Sequence, residues 1–153
     1  MSRYNYLPKP INECSKEEIE EAIIKGQQEQ DNWLNICKPE LLEFKAKNWQ
    51  ECIFKEENRY FEQCKKLVLE EIKNNKEFEK AVLDSVNEFA DKHGTNVNNG
   101  NMYVIEEVSW VLSLPLLHLN KPIFLIHIGS ANAAVIAAFQ YFPNLRKSIK
   151  LKT

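Results

Sequence analysis

Residues Pro122-Ile123-Phe124-Leu125-Ile126-His127-Ile128, followed by the turn pair Gly129-Ser130, are the stretch on which the fold reading turns. Six residues after the proline form one continuous apolar run of strand length. Such a run, bounded by turn signals, fits a strand buried on both faces. It lies between two helical patterns, the one running on from Asn101 and the Ala-rich one from Ala131 to Phe142. A buried strand between helices predicts a parallel sheet and therefore an α/β class.

The rest of the chain predicts mostly helix. Pro8 and Pro10 keep Met1 to Asn12 irregular. Ser15 with Glu18 three residues on reads as a capping box that opens a helix to about Cys37, with Ile19, Ala22, Ile23, Trp33 and Ile36 at helical spacing. Pro39 ends it, Leu41 to Ala46 alternates like a short strand, and Trp49 to Ile53 is ambiguous. A second helix is expected from about Glu56 to Asn74, with Tyr60, Cys64, Leu67, Val68 and Ile72 on one face. A third runs from about Glu77 to Lys92, with Phe78, Val82, Val86 and Phe89 inward, and His93-Gly94 stops it. The Asn- and Gly-rich stretch Thr95 to Asn101 reads as a loop. A fourth helix then runs to about Leu112, and Pro115 is expected to end it. Ser148 to Leu151 completes the reading as an edge strand. One domain over 1–153 follows, with fewer strands than a complete α/β sheet needs.

Composition bounds the function. The 153 residues are 44% hydrophobic and 27% charged, with a formal net charge of −2, which suits a water-soluble globular chain and gives no bulk field for nucleic acid. The greasiest stretch, Val108 to Leu119, is interrupted by Pro115 and His118 and is too short to span a bilayer. The first residues lack the apolar core of a signal peptide. Four widely spaced cysteines, Cys14, Cys37, Cys52 and Cys64, form no CxxC pair and read as reduced thiols of a cytoplasmic protein. Neither a metal-ligand cluster nor a glycine-rich phosphate cradle is present, so no metal or cofactor is expected.

Candidate chemistry centres on Tyr103 and Glu107. Four residues apart, they share one helix face, where a phenol can orient a carboxylate and tune its proton affinity. Taken alone, such a pair is also what an ordinary half-exposed helix face carries. Glu106 is the adjacent acid, about 100 degrees round the helix.

The wider pattern is more specific. Tyr103-Val104-Ile105-Glu106-Glu107, then Val108-Ser109-Trp110, Pro115 and a strand ending at His127, resembles the second signature of the tRNA-dependent cyclodipeptide synthases. Arg3-Tyr4-Asn5-Tyr6, the Ser15-to-Cys37 helix, the Trp49 region, Asn58-x-Tyr60 and Phe78 stand in the family's order, so the resemblance runs over nearly the whole chain. It implies a Rossmann-like domain related to class I aminoacyl-tRNA synthetases, here helix-rich and incomplete at its N-terminus. It also implies aminoacyl-tRNA as partner, with aminoacyl transfer ending in a cyclic dipeptide. Tyr103 and Glu107 would hold the substrate amine and move protons, and His127 would line the substrate pocket. On its residues alone, His127 reads equally as a core histidine satisfied by backbone groups.

Three departures accompany the resemblance. The nucleophile's Gly-x-Ser-x-x-Asn motif would belong before Met1. A fragment, a split subunit completed by a second chain and a degenerate homologue therefore all stay open, and the covalent step is not expected of this chain alone. Gly129-Ser130-Ala131-Asn132 comes after the Tyr/Glu helix, so Ser130 reads as a turn or helix cap. The helix where the family carries basic groups has Glu17, Glu18, Glu20, Glu21, Glu29 and Asp31 against Lys16 and Lys25, which would repel a tRNA backbone. The late strand carries Ile126 where many members have an aromatic residue. A sheet lacking strands would also leave an edge near Phe124 open to association. The competing reading is a non-enzymatic interaction domain whose acidic first helix meets a partner.

Overall fold

Ser15 and Glu18 close the capping box that their spacing predicts. The Glu18 amide donates to Ser15 Oγ at 3.2 Å, and the Ser15 amide donates to Glu18 Oε2 at 2.7 Å. The computed structural model, which describes residues 3–37, 59–117 and 132–142, starts helix α1 there, over Lys16–Cys37. Two 3₁₀ turns precede it, Arg3–Asn5 and Ile11–Glu13. Helix α2 spans Phe61–Asn74, α3 Lys76–His93, α4 Val97–Leu117 and α5 Ala133–Tyr141.

The α/β, Rossmann-like class is not what these residues form. About 85% of them are helical, and among the described residues there is no strand and no sheet. The expected strands Leu41 to Ala46, Ile123 to Ile128 and Ser148 to Leu151 lie outside the described residues. The physical reason is that the helices bury one another. Tyr60, Cys64 and Val68 of α2 and its approach, Phe78, Val82 and Val86 of α3, Val104, Val108, Val111, Leu112 and Leu116 of α4, and Ala134, Val135, Ala137 and Ala138 of α5 make one core. Each stripe finds a helical partner, so the core needs no sheet to close it. The described residues therefore close their core with helices alone. The sheet edge expected near Phe124 also lies outside the described residues.

Helix α4 is the central element, packed by α2, α3, α5 and the first 3₁₀ turn, which accounts for burial almost all round its middle. It begins earlier than its composition suggests. Asn96 accepts from the Asn99 amide at 2.9 Å through its side chain and from Gly100 at 3.0 Å through its carbonyl, converting an apparent loop into a capped first turn. At Gly100 a Cβ would sit 3.1 Å from the Val86 carbonyl, so glycine permits the close crossing of α3 and α4. The helix also runs through Pro115 to Leu117. Pro115 lies so near the C-terminus that it removes one hydrogen bond without disrupting a following turn.

The junctions are polar and specific. Asn75 separates α2 from α3 by a single extended residue. Its side chain accepts from the amides of Glu77 and Phe78, both at 3.1 Å, while its own amide donates to the Glu71 carbonyl at 2.8 Å. Gly94 ends α3 in the left-handed conformation, φ 61°, as the His93-Gly94 pair predicts. Asn132 caps α5, accepting from the Val135 amide at 2.8 Å. Buried Ser85 ties α5 to α3, donating to the Ala81 carbonyl at 2.9 Å and accepting from the Ala134 amide at 3.0 Å.

Candidate functional site

The Glu106-Glu107 pair sits mid-helix in α4, the most apolar of the long helices, and both carboxylates are buried. A buried carboxylate must find hydrogen-bonding or charged partners. Successive helical residues face directions about 100 degrees apart, so the two acids draw their partners from different sides.

Glu107 meets the groups the sequence placed near it, and one it did not. Tyr103, one turn earlier, hydrogen-bonds to its carboxylate, and the Asn132 side-chain amide donates to Glu107 Oε2. Burial first, and the Glu107 charge second, raise the Tyr103 phenol well above its usual pKa. Tyr103 therefore keeps its proton and acts as a donor to Glu107. Its ring stacks on Phe89 at 4.0 Å with an interplanar angle of 20°, and Phe89 in turn lies against His93 at 4.6 Å. The resulting Tyr103–Glu107–Asn132 cluster joins α4 to the N-terminus of α5.

Glu106 is held from the other direction, by residues more than 100 positions away. Arg3 Nη2 lies 3.0 and 3.3 Å from its two oxygens, and the Tyr4 hydroxyl donates to Oε1 at 2.9 Å. Arg3 also donates to the Tyr4 oxygen at 2.9 Å. Arg3 is 8% exposed, Tyr4 0% and Glu106 4%, so this is a desolvated triad. Burial, followed by the Glu106 charge, again raises the phenol of Tyr4.

Further polar contacts seat the N-terminal segment. Thr95 Oγ1 donates to the Tyr4 carbonyl at 3.2 Å. Asn99, fully buried, accepts from the Ile11 amide at 2.9 Å and donates to the Lys9 carbonyl at 3.0 Å. Apolar contact comes from Tyr4, Leu7, Ala22 and Phe89, with Met102 and Tyr103 against them.

Sequence reasoning therefore paired Tyr103 with Glu107 as the structure does, and missed Arg3, Tyr4, Asn99 and Asn132. The available signal was two adjacent acids inside a Val-Ile-rich run, which on a buried helix require partners from elsewhere. His127, Ser130 and His118 lie outside the described residues. His93 stands at the end of α3, as expected. A cavity of about 270 Å³ opens between the N-terminal segment and α1, lined by Tyr6, Pro8, Glu18, Glu21, Ala22 and Lys25, and neither Tyr103 nor Glu107 lines it. Among the described residues no group of three or more His, Cys, Asp or Glu side chains is placed to hold a metal ion. Among them, too, no helix is long and apolar enough to cross a membrane.

Compared with known proteins, the chain matches no family model, no curated protein and no solved structure.

Proposed function

We propose that this chain is a non-catalytic helical interaction domain that meets a basic protein segment through the outer face of α1. The observation that carries the reading is the charge on that face. Helix α1 holds six carboxylates against two lysines, a net charge of −4, while the whole chain carries −2. Glu18 and Glu29 are engaged internally, by Ser15 and Lys9 and by the Tyr6 hydroxyl. Glu17, Glu20, Glu21 and Asp31 are exposed and stand at i−7, i−4, i−3 and i+7 from Ile24, itself 52% exposed. An apolar side chain with carboxylates one turn before it and two turns to either side suits a segment presenting Lys or Arg beside an aliphatic anchor. The internal use of Glu106 and Glu107 supports the same reading, since both link parts of the fold. A reducing compartment such as the cytoplasm fits Cys14 and Cys64, which are free thiols.

The test compares two triple variants against a Lys/Arg-rich amphipathic peptide. Glu17, Glu20 and Glu21 changed together to Gln weaken binding about tenfold and flatten its salt dependence. Exposed Glu62, Glu70 and Glu88 changed to Gln leave binding nearly as it was. Equal losses in the two triples would mean that the peptide feels net charge alone, and the reading would fall.

A second reading, aminoacyl transfer from aminoacyl-tRNA to form cyclic dipeptides, draws on the hydrogen bond between Tyr103 and Glu107, the two residues to which the family resemblance gives that role. Incubation of the chain with mixed aminoacyl-tRNAs and mass spectrometry of the products tests it. Cyclic dipeptide that disappears with Glu107→Gln would support it, and no product would end it for this chain.

A further inference from the structure

The buried Glu106 carboxylate is met by one short segment of the chain, residues 3–11, which precedes α1. A buried carboxylate takes a guanidinium and a phenol from two consecutive residues, Arg3 and Tyr4. Around it, Thr95 and Asn99 read backbone groups of the same segment, at the Tyr4 carbonyl, the Lys9 carbonyl and the Ile11 amide. All the receptor groups, Thr95, Asn99 and Glu106, belong to α4 and its approach, with Phe89 of α3 supplying an apolar wall. Every ligand group belongs to residues 3–11. Backbone recognition in a short segment built of two 3₁₀ turns, combined with two side-chain anchors, parallels how folded domains bind linear peptides. Helix α1 follows the segment and packs chiefly on its first 3₁₀ turn, so it adds little that would tie the segment to α4.

We propose that this face of α4 is a binding site for an Arg-Tyr segment, occupied in cis here and open in trans to the N-terminal segment of a second copy. The inference is independent of what α1 meets. Exchange requires that the segment detach while the α2–α5 core stays folded.

Two experiments decide it. The first is hydrogen exchange on the wild-type chain. The Tyr6 amide donates to the Arg3 carbonyl at 3.0 Å and the Ile11 amide to Asn99, so both report the docked segment. They should exchange about 100-fold faster than core amides of α4 such as Val104 and Val108, through a local opening. Exchange at the same rate as the α4 core would overturn the proposal, because the segment would then leave only on global unfolding. The second uses the full chain carrying Arg3→Gln, which empties the guanidinium position, and a labelled synthetic peptide of residues 1–14. That peptide should bind about tenfold tighter than the same peptide with Arg3→Gln, a difference a buried charged pair readily supplies. It should also bind the wild-type chain more weakly, since the cis segment competes. Equal or absent binding of the two peptides overturns the proposal. So does an Arg3→Gln chain that does not fold, which would make the segment an obligate part of the core.

Discussion

Replacing Glu106 by Gln keeps the side chain's shape and removes its charge. The Tyr4 hydroxyl, which donates to Oε1 at 2.9 Å, still finds an acceptor. Arg3 does not fare as well, because its guanidinium is left buried, with a side-chain exposure of 10%, facing an uncharged amide. Breaking a buried pair by removing one partner costs about 3–5 kcal/mol. The lower end applies here, since the Tyr4 hydrogen bond survives. A loss of about 3 kcal/mol lowers the urea midpoint by ~1.5 M for a slope near 2 kcal/mol per M. Arg3→Met should cost about as much, by stranding the carboxylate with Tyr4 alone. The double variant removes both charges and should lose less than the two single losses together, giving a coupling of about 2 kcal/mol or more. Far-UV circular dichroism in urea on the four proteins measures this cycle. Single losses near 0.5 kcal/mol that simply add would put the pair in the class of exposed salt bridges and refute its buried role.

Three further outcomes follow from particular contacts. Gly94→Ala meets no atom within 4 Å, so its cost is that of a positive φ alone, about 1 kcal/mol in thermal or urea unfolding, and a neutral result would contradict the left-handed cap. Asn132→Ala removes the cap of α5 and a donor to Glu107, and should destabilise by about 1–2 kcal/mol with helix loss confined to α5, measured by exchange at Val135 and Ile136. Burial raises the Cys64 thiol from 9.0 to about 12, so the stability it contributes is complete below pH 9 and declines as the pH rises towards 12, because the unfolded chain ionises first. Urea midpoints between pH 8 and 10 should fall more steeply for the wild type than for Cys64→Val, and identical slopes would sink that assignment.

What the sequence made legible was local. The Ser15-to-Glu18 box, the Phe78, Val82, Val86 and Phe89 stripe and the Gly94 stop each involve residues within a few turns of one another, and each is found in place. Two local readings failed for local reasons. The Asn-rich stretch after Thr95 looked like a loop because Asn favours turns, yet the same side-chain chemistry makes Asn96 a cap and Asn99 an anchor for the N-terminal segment. Pro115 looked like a stop, although a proline close to a helix C-terminus interrupts little. The class was misread because a sheet was inferred from one apolar run, while the partners of the helical stripes were left unassigned. Periodicity shows that a face is buried and is silent on whether a sheet or another helix covers it.

The adjacent acids of α4 show why the long-range part was hidden. One carboxylate on a buried helix face needs one set of partners, and two in succession need two sets arriving from directions about 100 degrees apart. Glu106 takes Arg3 and Tyr4 from the N-terminal segment, and Glu107 takes Asn132 from the cap of α5 and Tyr103 from its own helix. The pair thus fixes two separate parts of the chain on α4, each through a polar contact that is costly to mismatch. An apolar residue at either position would bury more easily but would accept many neighbours equally well. A buried carboxylate accepts few, and a one-turn slip of the segment before α1 would break the Glu106–Arg3 pair. On this argument Glu106→Leu with Arg3→Met recovers much of the stability lost by either single change, yet loosens the seating of residues 3–14. The signature is a near-normal urea midpoint combined with faster exchange at the Tyr6 and Ile11 amides. A double variant that kept wild-type protection at those amides would show that apolar packing by Tyr4 and Leu7 alone sets the register.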